Sequence, residues 1–236
     1  MMPMKSKFCR GFSRNELFVV IGVFVGIAVI IVHKIAVAGT EANVSAAMNN
    51  GNQIYKFMTT HLDGECALKG GTIVSLPTTE EVKLGKYGGN DAAHYFGWLV
   101  TNKFAPVSYD FFSAPGVESA KDYSSFVQPG KNKLHNIWCV SLDIDEDRAV
   151  SGTPVLFTQN FNLPIDSTID QLQTPGLKNR KPFGTVMGVV VQFGGAAMAI
   201  EQNYATPTNF CPVPATNKIL WAHGSGPVPV HHSFWP

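Results

Sequence analysis

The chain has 236 residues, of which 45% are hydrophobic and 15% are charged, and its formal net charge is +1. Residues 1–11 hold three of the 18 basic residues and none of the 17 acidic ones, so the remainder carries 15 basic against 17 acidic residues. This balance excludes nucleic-acid binding as the main function, because the phosphate backbone requires a basic surface. About 200 residues follow residue 38, enough for one globular domain with a core.

A basic segment precedes a long apolar segment at the N-terminus. Residues 1–11 contain three basic side chains and no acid: Lys5, Lys7 and Arg10. A positive segment stays on the cytoplasmic side, so residues 17–32, which contain no charge, are expected to insert with their C-terminal end outward. They are shorter than the roughly 20 residues that span a bilayer. Continuing to residue 38, with His33 and Lys34 snorkelling, supplies the length.

Gly11, Phe12 and Glu16 mark the junction between these segments. A glycine, a phenylalanine and a glutamate four residues later, ahead of an apolar run, resemble the N-terminus of type IV pilins and type II secretion pseudopilins. The resemblance implies cleavage between Gly11 and Phe12 by a prepilin peptidase, and methylation of the new Phe12 amine. It implies also that Glu16 contacts the N-terminal amine of a neighbouring subunit and sets its axial register. Ser13-Arg14-Asn15 departs from the usual apolar pattern, and Arg14 is close enough in sequence to pair with Glu16.

Other interpretations of this region stay open. Ala36-Val37-Ala38 has the small-x-small form of a signal-peptidase site, which predicts a secreted protein that begins near Gly39. Glu16 can also face lipid headgroups in a simple membrane anchor. Gly22 and Gly26 form a small-xxx-small pair that permits close helix approach in an assembly, although glycine is also common in membrane helices.

We predict four segments along the chain. They are a prepilin leader at residues 1–11, the transmembrane or filament-core half of a stem helix at 12–38, its amphipathic half at 39–63, and a globular α+β head with a loop-rich C-terminal tail at 64–236. Apolar residues at helical spacing support the second half of the stem: Ala42, Ala46, Ala47, Ile54, Phe57, Met58 and Leu62. The poor helix formers at residues 49–52 predict a bend.

The head is predicted to form an antiparallel β-sheet that packs on the long N-terminal hydrophobic helix, as in pilins. A helix capped by Asn90 or Asp91 and several strands are expected; the strands are residues 134–142, 154–158, 185–193 and 196–200. Gly194-Gly195 predicts a two-residue primed turn between the last two strands, whose apolar character predicts burial on both faces. The segment from Trp138-Cys139-Val140 to Gln159-Asn160 resembles heads of large pilin-like proteins of the Planctomycetes–Verrucomicrobia group.

Asp143, Asp145 and Asp147 alternate directly after a predicted strand. Alternate carboxylates can converge on calcium, which takes six to eight oxygen ligands. The resemblance to secretion pseudopilins, some of which use a calcium site to order head loops, implies the same possibility here. The simpler interpretation is a solvated acidic turn, since Arg148 and Ala149 do not fit the EF-hand pattern.

Cysteine, histidine and catalytic patterns are less specific. Cys9 lies in the leader, and the other three cysteines permit at most one intramolecular disulfide without specifying it: Cys66, Cys139 and Cys211. Three histidines in the tail can bind zinc or copper or simply be exposed: His223, His231 and His232. His94 and Asp91 can form a base and its orienting partner, but no nucleophile motif accompanies them, so we predict that the chain is not an enzyme.

The expected function is therefore that of a structural subunit of a type IV pilus-like filament or a type II secretion pseudopilus. It implies a single-pass protein of the inner membrane, with its head in the periplasm or exterior, that later enters a filament. The implied partners are a prepilin peptidase, identical or related pilin subunits, an inner-membrane assembly platform and the lipid bilayer. No cofactor is required, and calcium is possible. The alternative is a membrane-anchored extracytoplasmic binding protein that does not polymerise.

Overall fold

The computed structural model describes residues 13–59, 76–114, 117–128, 134–144, 149–163, 176–211 and 219–220. Its helices are α1 (Arg14–Thr59), α2 (Thr79–Lys83), α3 (Ala92–Thr101), α4 (Tyr123–Val127) and α5 (Pro207–Phe210), with 3₁₀ turns at Tyr109–Phe112 and Gln202–Tyr204. Its strands are β1 (Trp138–Ser141), β2 (Pro154–Thr158), β3 (Met187–Gln192), β4 (Ala197–Glu201) and β5 (Ile219–Leu220). The α+β class is confirmed. The chain divides into two units, Met1–Ala42 and Asn43–Pro236, and α1 runs through the boundary.

Within the first unit, the part of α1 from Arg14 to Val32 is an apolar helix whose side chains are exposed. None of the segment Arg14–Val32 is buried. Its 19 residues rise about 28 Å at about 1.5 Å per residue, which nearly matches the roughly 30 Å hydrocarbon core of a bilayer. Among the described residues this is the one helix that is long and apolar enough to cross a membrane.

In the second unit α1 buries one face in the core of the head. The buried residues recur at spacings of three and four, as on one side of a helix: Val44, Ala47, Gly51, Ile54, Tyr55 and Met58. Burial of Ala47, Ile54 and Met58 agrees with the predicted amphipathic face. Ala42 and Ala46 are exposed instead, because the buried stripe passes through Val44 and Gly51.

The poor helix formers at residues 49–52 do not interrupt α1, which continues through them unbroken. A Cβ atom at Gly51 would lie 2.7 Å from the Trp138 ring and 2.8 Å from Val191. The helix therefore approaches the sheet more closely than any side chain permits. Asn50 Nδ2 donates to the Phe111 carbonyl oxygen at 3.3 Å, and the Tyr55 hydroxyl accepts a bond from the Gly194 N–H at 2.9 Å.

The five strands form one antiparallel sheet in the order β4-β3-β2-β1-β5. Alternate side chains of β1 and β3 enter different cores, as the pleat requires. Trp138, Val140 and Val191 belong to the core that contains α1 and α3. Cys139 and Val190 belong to a second, smaller core on the other face of the sheet, around Phe157, Phe161 and Phe210.

The β3–β4 hairpin forms as predicted, with two differences. The Gly195 N–H donates to the Gln192 carbonyl at 2.9 Å, so the loop has three residues, Phe193 to Gly195, rather than two. Gly194 and Gly195 both have positive φ angles, 94° and 82°, which glycine adopts at little cost. Burial on both faces holds for β3 but is wrong for β4, which lies at the edge of the sheet and exposes Ala199 and Glu201.

Replacing Gly51 with alanine should destabilise the protein by about 1–3 kcal/mol, because the new methyl group must displace the Trp138 ring or the helix. Gly39→Ala is the matched control. Gly39 lies in α1 with no atom within 4 Å of an added Cβ, so this change should stabilise the helix by about 0.5–1 kcal/mol. Thermal unfolding followed by circular dichroism in detergent measures both variants. Equal effects of the two substitutions would contradict the close approach at Gly51.

Candidate functional site

Ser13 and Glu16 form a reciprocal cap at the start of α1. The Ser13 N–H donates to Glu16 Oε2 at 2.7 Å, and the Glu16 N–H donates to Ser13 Oγ at 3.3 Å. Such a capping box satisfies two of the backbone donors that every helix leaves open at its N-terminus. The pattern Ser-x-x-Glu before an apolar run would have revealed it in the sequence. Glu16 therefore has a partner within its own chain.

Arg14 does not form the ion pair with Glu16 that the sequence suggested. Its guanidinium carbon lies 5.8 Å from the centre of the Phe18 ring, one helical turn further on. This is a cation–π distance. The Glu16 carboxylate is exposed and has no cationic partner among the described residues, so it remains available to a positive group on another molecule.

Gly22 and Gly26 lie one turn apart on the exposed part of α1. No atom lies within 4 Å of a Cβ built at either position. The two glycines thus leave a shallow path along the helix surface, flanked by exposed Ile21, Val23 and Val25. A second helix can approach its backbone closely along this path. Gly11 and Phe12, the predicted processing residues, lie outside the described residues.

Asp143 connects the end of β1 to the start of α2. Its Oδ1 accepts a bond from the Thr79 N–H at 2.7 Å, and its Oδ2 accepts one from the Thr79 hydroxyl. Its own N–H donates to the Pro77 carbonyl at 3.1 Å, and its φ angle is 57°. Both carboxylate oxygens therefore link the end of β1 to the start of α2 by hydrogen bonds.

Asp145 and Asp147, the other two predicted calcium ligands, lie outside the described residues. In the parts of the chain that the structure describes, no group of three or more His, Cys, Asp or Glu side chains is placed to hold a metal. The calcium site remains a prediction that depends on those two aspartates.

Glu81 stabilises the same region from α2. It completes a capping box with Thr78 and accepts hydrogen bonds from Lys86 Nζ and, at 2.7 Å, from the Tyr87 hydroxyl. Partial burial raises the pKa of the Glu81 carboxyl, but the bonds from Lys86, Tyr87 and Thr78 outweigh burial and leave the pKa below its usual value of 4.5. The folded structure thus stabilises the charged form of the Glu81 carboxyl.

The remaining candidate residues either cap a helix, pack in a core or lie outside the described residues. Asp91 caps α3, accepting from the His94 N–H at 2.9 Å, and its Oδ1 lies 2.7 Å from His94 Nδ1. Cys139 is buried in β1, and Cys211 packs against the same core. Four residues fall outside the described parts of the chain: Cys66, His223, His231 and His232.

No protein-family model, no curated protein and no solved structure matches the chain. The features that the structure shares with pilins are a long N-terminal apolar helix and an antiparallel sheet after it. This order of elements is compatible with a pilin-like architecture. No match supports the narrower resemblance of the segment around Trp138 to heads of large pilin-like proteins.

Two substitutions separate the cap from the charge at Glu16. Glu16→Gln keeps the capping box, because glutamine can replace glutamate in it, but removes the charge. Ser13→Ala keeps the charge and weakens the cap by about 1 kcal/mol. If Glu16 sets the register of an assembly, Glu16→Gln should abolish filament yield while Ser13→Ala leaves it nearly intact, and both should insert into membranes. A greater loss with Ser13→Ala would mean that the cap matters and the charge does not.

Replacing Asp143 with alanine should lower the free energy of unfolding by about 1–2 kcal/mol, since two hydrogen bonds to Thr79 are lost. The loss should appear with EDTA present, because it does not involve a metal. Glu80→Ala, at an exposed position of α2, is the control. Thermal unfolding in EDTA and in calcium measures both roles. An Asp143→Ala variant as stable as the wild type in EDTA would contradict the structural role. A melting temperature of the wild type that rises with calcium, and that does not rise in Asp143→Ala, would establish the metal site.

Proposed function

We propose that the chain is a pilin-like structural subunit, cleaved after Gly11 and methylated on Phe12. Its first helix holds it in the inner membrane, with the head in the periplasm or exterior. It then assembles, helix against helix, with identical or related subunits into a type IV pilus-like filament or a type II secretion pseudopilus. A prepilin peptidase and an inner-membrane assembly platform are the implied partners.

The observation that carries the proposal is the exposed apolar surface of α1. Every residue from 17 to 32 is exposed, and the larger side chains among them leave between 36% and 68% of their surface uncovered. Surface of this kind does not persist in water. A lipid bilayer covers it in the membrane, and only a neighbouring helix of similar character covers it in a filament.

The carboxylate of Glu16 at the start of α1 would set the axial alignment of helices in such an assembly. Moving α1 from lipid to a bundle of like helices changes hydrophobic burial little, because lipid tails are as apolar as the side chains. Close packing and polar contacts must therefore decide the alignment. Glu16 is an exposed carboxylate at the edge of the apolar surface, and the freed amine of Phe12 in a neighbouring subunit is a cation of suitable chemistry.

The second candidate is a membrane-anchored binding protein that does not polymerise. The capping box favours it, because Glu16 has a use within its own chain and needs no second subunit to explain it. In that case the helix serves only as an anchor, and the head alone carries the function.

The mass of the N-terminal peptide, measured from membranes with and without a prepilin peptidase, tests the proposal. We expect a peptide that starts at methylated Phe12 only when the peptidase is present. Gly11→Val should prevent its formation, whereas Ala38→Leu, which blocks the alternative signal-peptidase site, should not.

The other outcomes identify the other functions. A chain that starts at Met1 with the peptidase present, and that ignores Gly11→Val, is the anchored binding protein. A chain that starts near Gly39, and is lost in Ala38→Leu, is a secreted protein without the apolar helix. Either result would overturn the proposed filament role.

A further inference from the structure

The edge strand β4 offers a row of backbone groups to another strand. Within the described chain β4 pairs only with β3. The Gln192 N–H donates to the Ala196 carbonyl, and the Gln202 N–H donates to the Val186 carbonyl. These two bonds mark hydrogen-bonded pairs at either end of the β3–β4 ladder. Hydrogen-bonded and non-hydrogen-bonded pairs alternate in an antiparallel ladder, so the type of every pair between the two ends is fixed.

This alternation directs the backbone N–H and C=O groups of Ala197, Ala199 and Glu201 away from β3. They face Val191, Val189 and Met187 in the ladder, which are the non-hydrogen-bonded positions. Ala199 and Glu201 are exposed, and no described residue outside the strand bonds to their N–H or carbonyl groups. An open edge of this kind is a template for strand addition.

A groove of about 450 Å³ runs beside this edge. Met198, Ile200 and Tyr204 give it an apolar wall, and Tyr204 is 62% exposed. Gln192, Glu201, Thr208 and Asn209 give it a polar wall. A strand added to β4 would place every second side chain over the groove, within the distance at which cross-strand neighbours touch. The groove therefore fits small apolar side chains.

The C-terminal tail contains a segment with the required pattern. Pro227-Val228-Pro229-Val230 lies outside the described residues. In an extended chain alternate N–H groups point to opposite sides, so Val228 and Val230 present their N–H groups on one side while the two prolines have none on the other. Such a segment can add to an edge strand but cannot accept a further strand.

The length of chain before this segment favours a neighbouring molecule. The tail leaves from β5, at the opposite edge from β4. A strand outside β4 would lie five strand spacings from β5, or about 24 Å. Seven residue steps from Leu220 to Pro227 reach at most about 25 Å. The tail could pair with its own β4 only if it were fully stretched across the sheet, whereas a second copy imposes no such limit.

We propose that Pro227–Val230 of one copy adds as a strand to the open edge of β4 in a second copy, with its side chains in the groove beside Met198, Ile200 and Tyr204. The contact joins different surfaces of the two copies. Heterologous contacts of this kind propagate into open assemblies when they do not close into rings. The inference concerns the head and tail and does not depend on cleavage after Gly11.

Chemical cross-linking of two full-length copies in detergent tests it. One copy carries Ala199→Cys and the other carries His231→Cys, with different tags, and a short bismaleimide joins them. Mass spectrometry of the cross-linked peptides identifies the linked positions despite the native cysteines. We expect a heterodimer linked between positions 199 and 231. A copy with Glu80→Cys, exposed on α2, in place of Ala199→Cys should give only background.

Two further variants in the tail examine the hydrogen bonds. Val228→Pro with Val230→Pro removes both donors and should reduce the cross-linked heterodimer at least about tenfold. Pro227→Val with Pro229→Val keeps the donors and should leave it unchanged. Cross-links within one chain, a yield no higher than with Glu80→Cys, or indifference to the paired Val→Pro change would each overturn the proposal. Because these copies retain Met1 and meet no prepilin peptidase, such a failure would leave the proposed filament role of α1 untouched.

Discussion

The apolar surface of α1 is the constraint on which the rest depends. Burying a single large aliphatic or aromatic side chain is worth about 1.5–3 kcal/mol, and residues 17–32 contain more than a dozen such side chains, all exposed. Leaving them in water would cost on the order of tens of kcal/mol, more than the total stability of a typical domain. Wherever this segment is retained in the chain, lipid or another protein has to cover it.

The same helix meets a different requirement in the second unit, where it is part of a protein core. There its buried face carries small residues where the sheet comes close and larger ones where it does not. Gly51 lies against Trp138 and Val191, while Ile54 and Met58 are fully buried one and two turns later. The cost of a glycine within a helix, about 0.5–1 kcal/mol, is offset by the packing of a buried tryptophan against the helix backbone.

Several polar residues act first within their own chain. Glu16 caps α1, Asp143 holds α2 and Asp91 caps α3. The sequence pattern around each of the three also suggests an intermolecular or chemical role. A carboxylate satisfied by backbone N–H groups is still charged, and at an exposed position such as that of Glu16 it can also attract a second molecule. The open edge of β4 differs, because its backbone groups have no partner among the described residues.

The sequence alone determined the apolar helix, the capped start of α3, strands β1 to β4 and the α+β class, because these follow from local composition and periodicity. It did not reveal β5, which lies in the tail that was expected to be loop-rich. It also contained the Ser13-x-x-Glu16 pattern, which local chemistry suffices to interpret. Only the tertiary structure decided why Gly51 is a glycine and that β4 is an exposed edge strand while β3 is buried. Both strands are mostly apolar, and their burial depends on strand order and on contacts between residues far apart in the chain. Such contacts leave no periodic signal in the sequence.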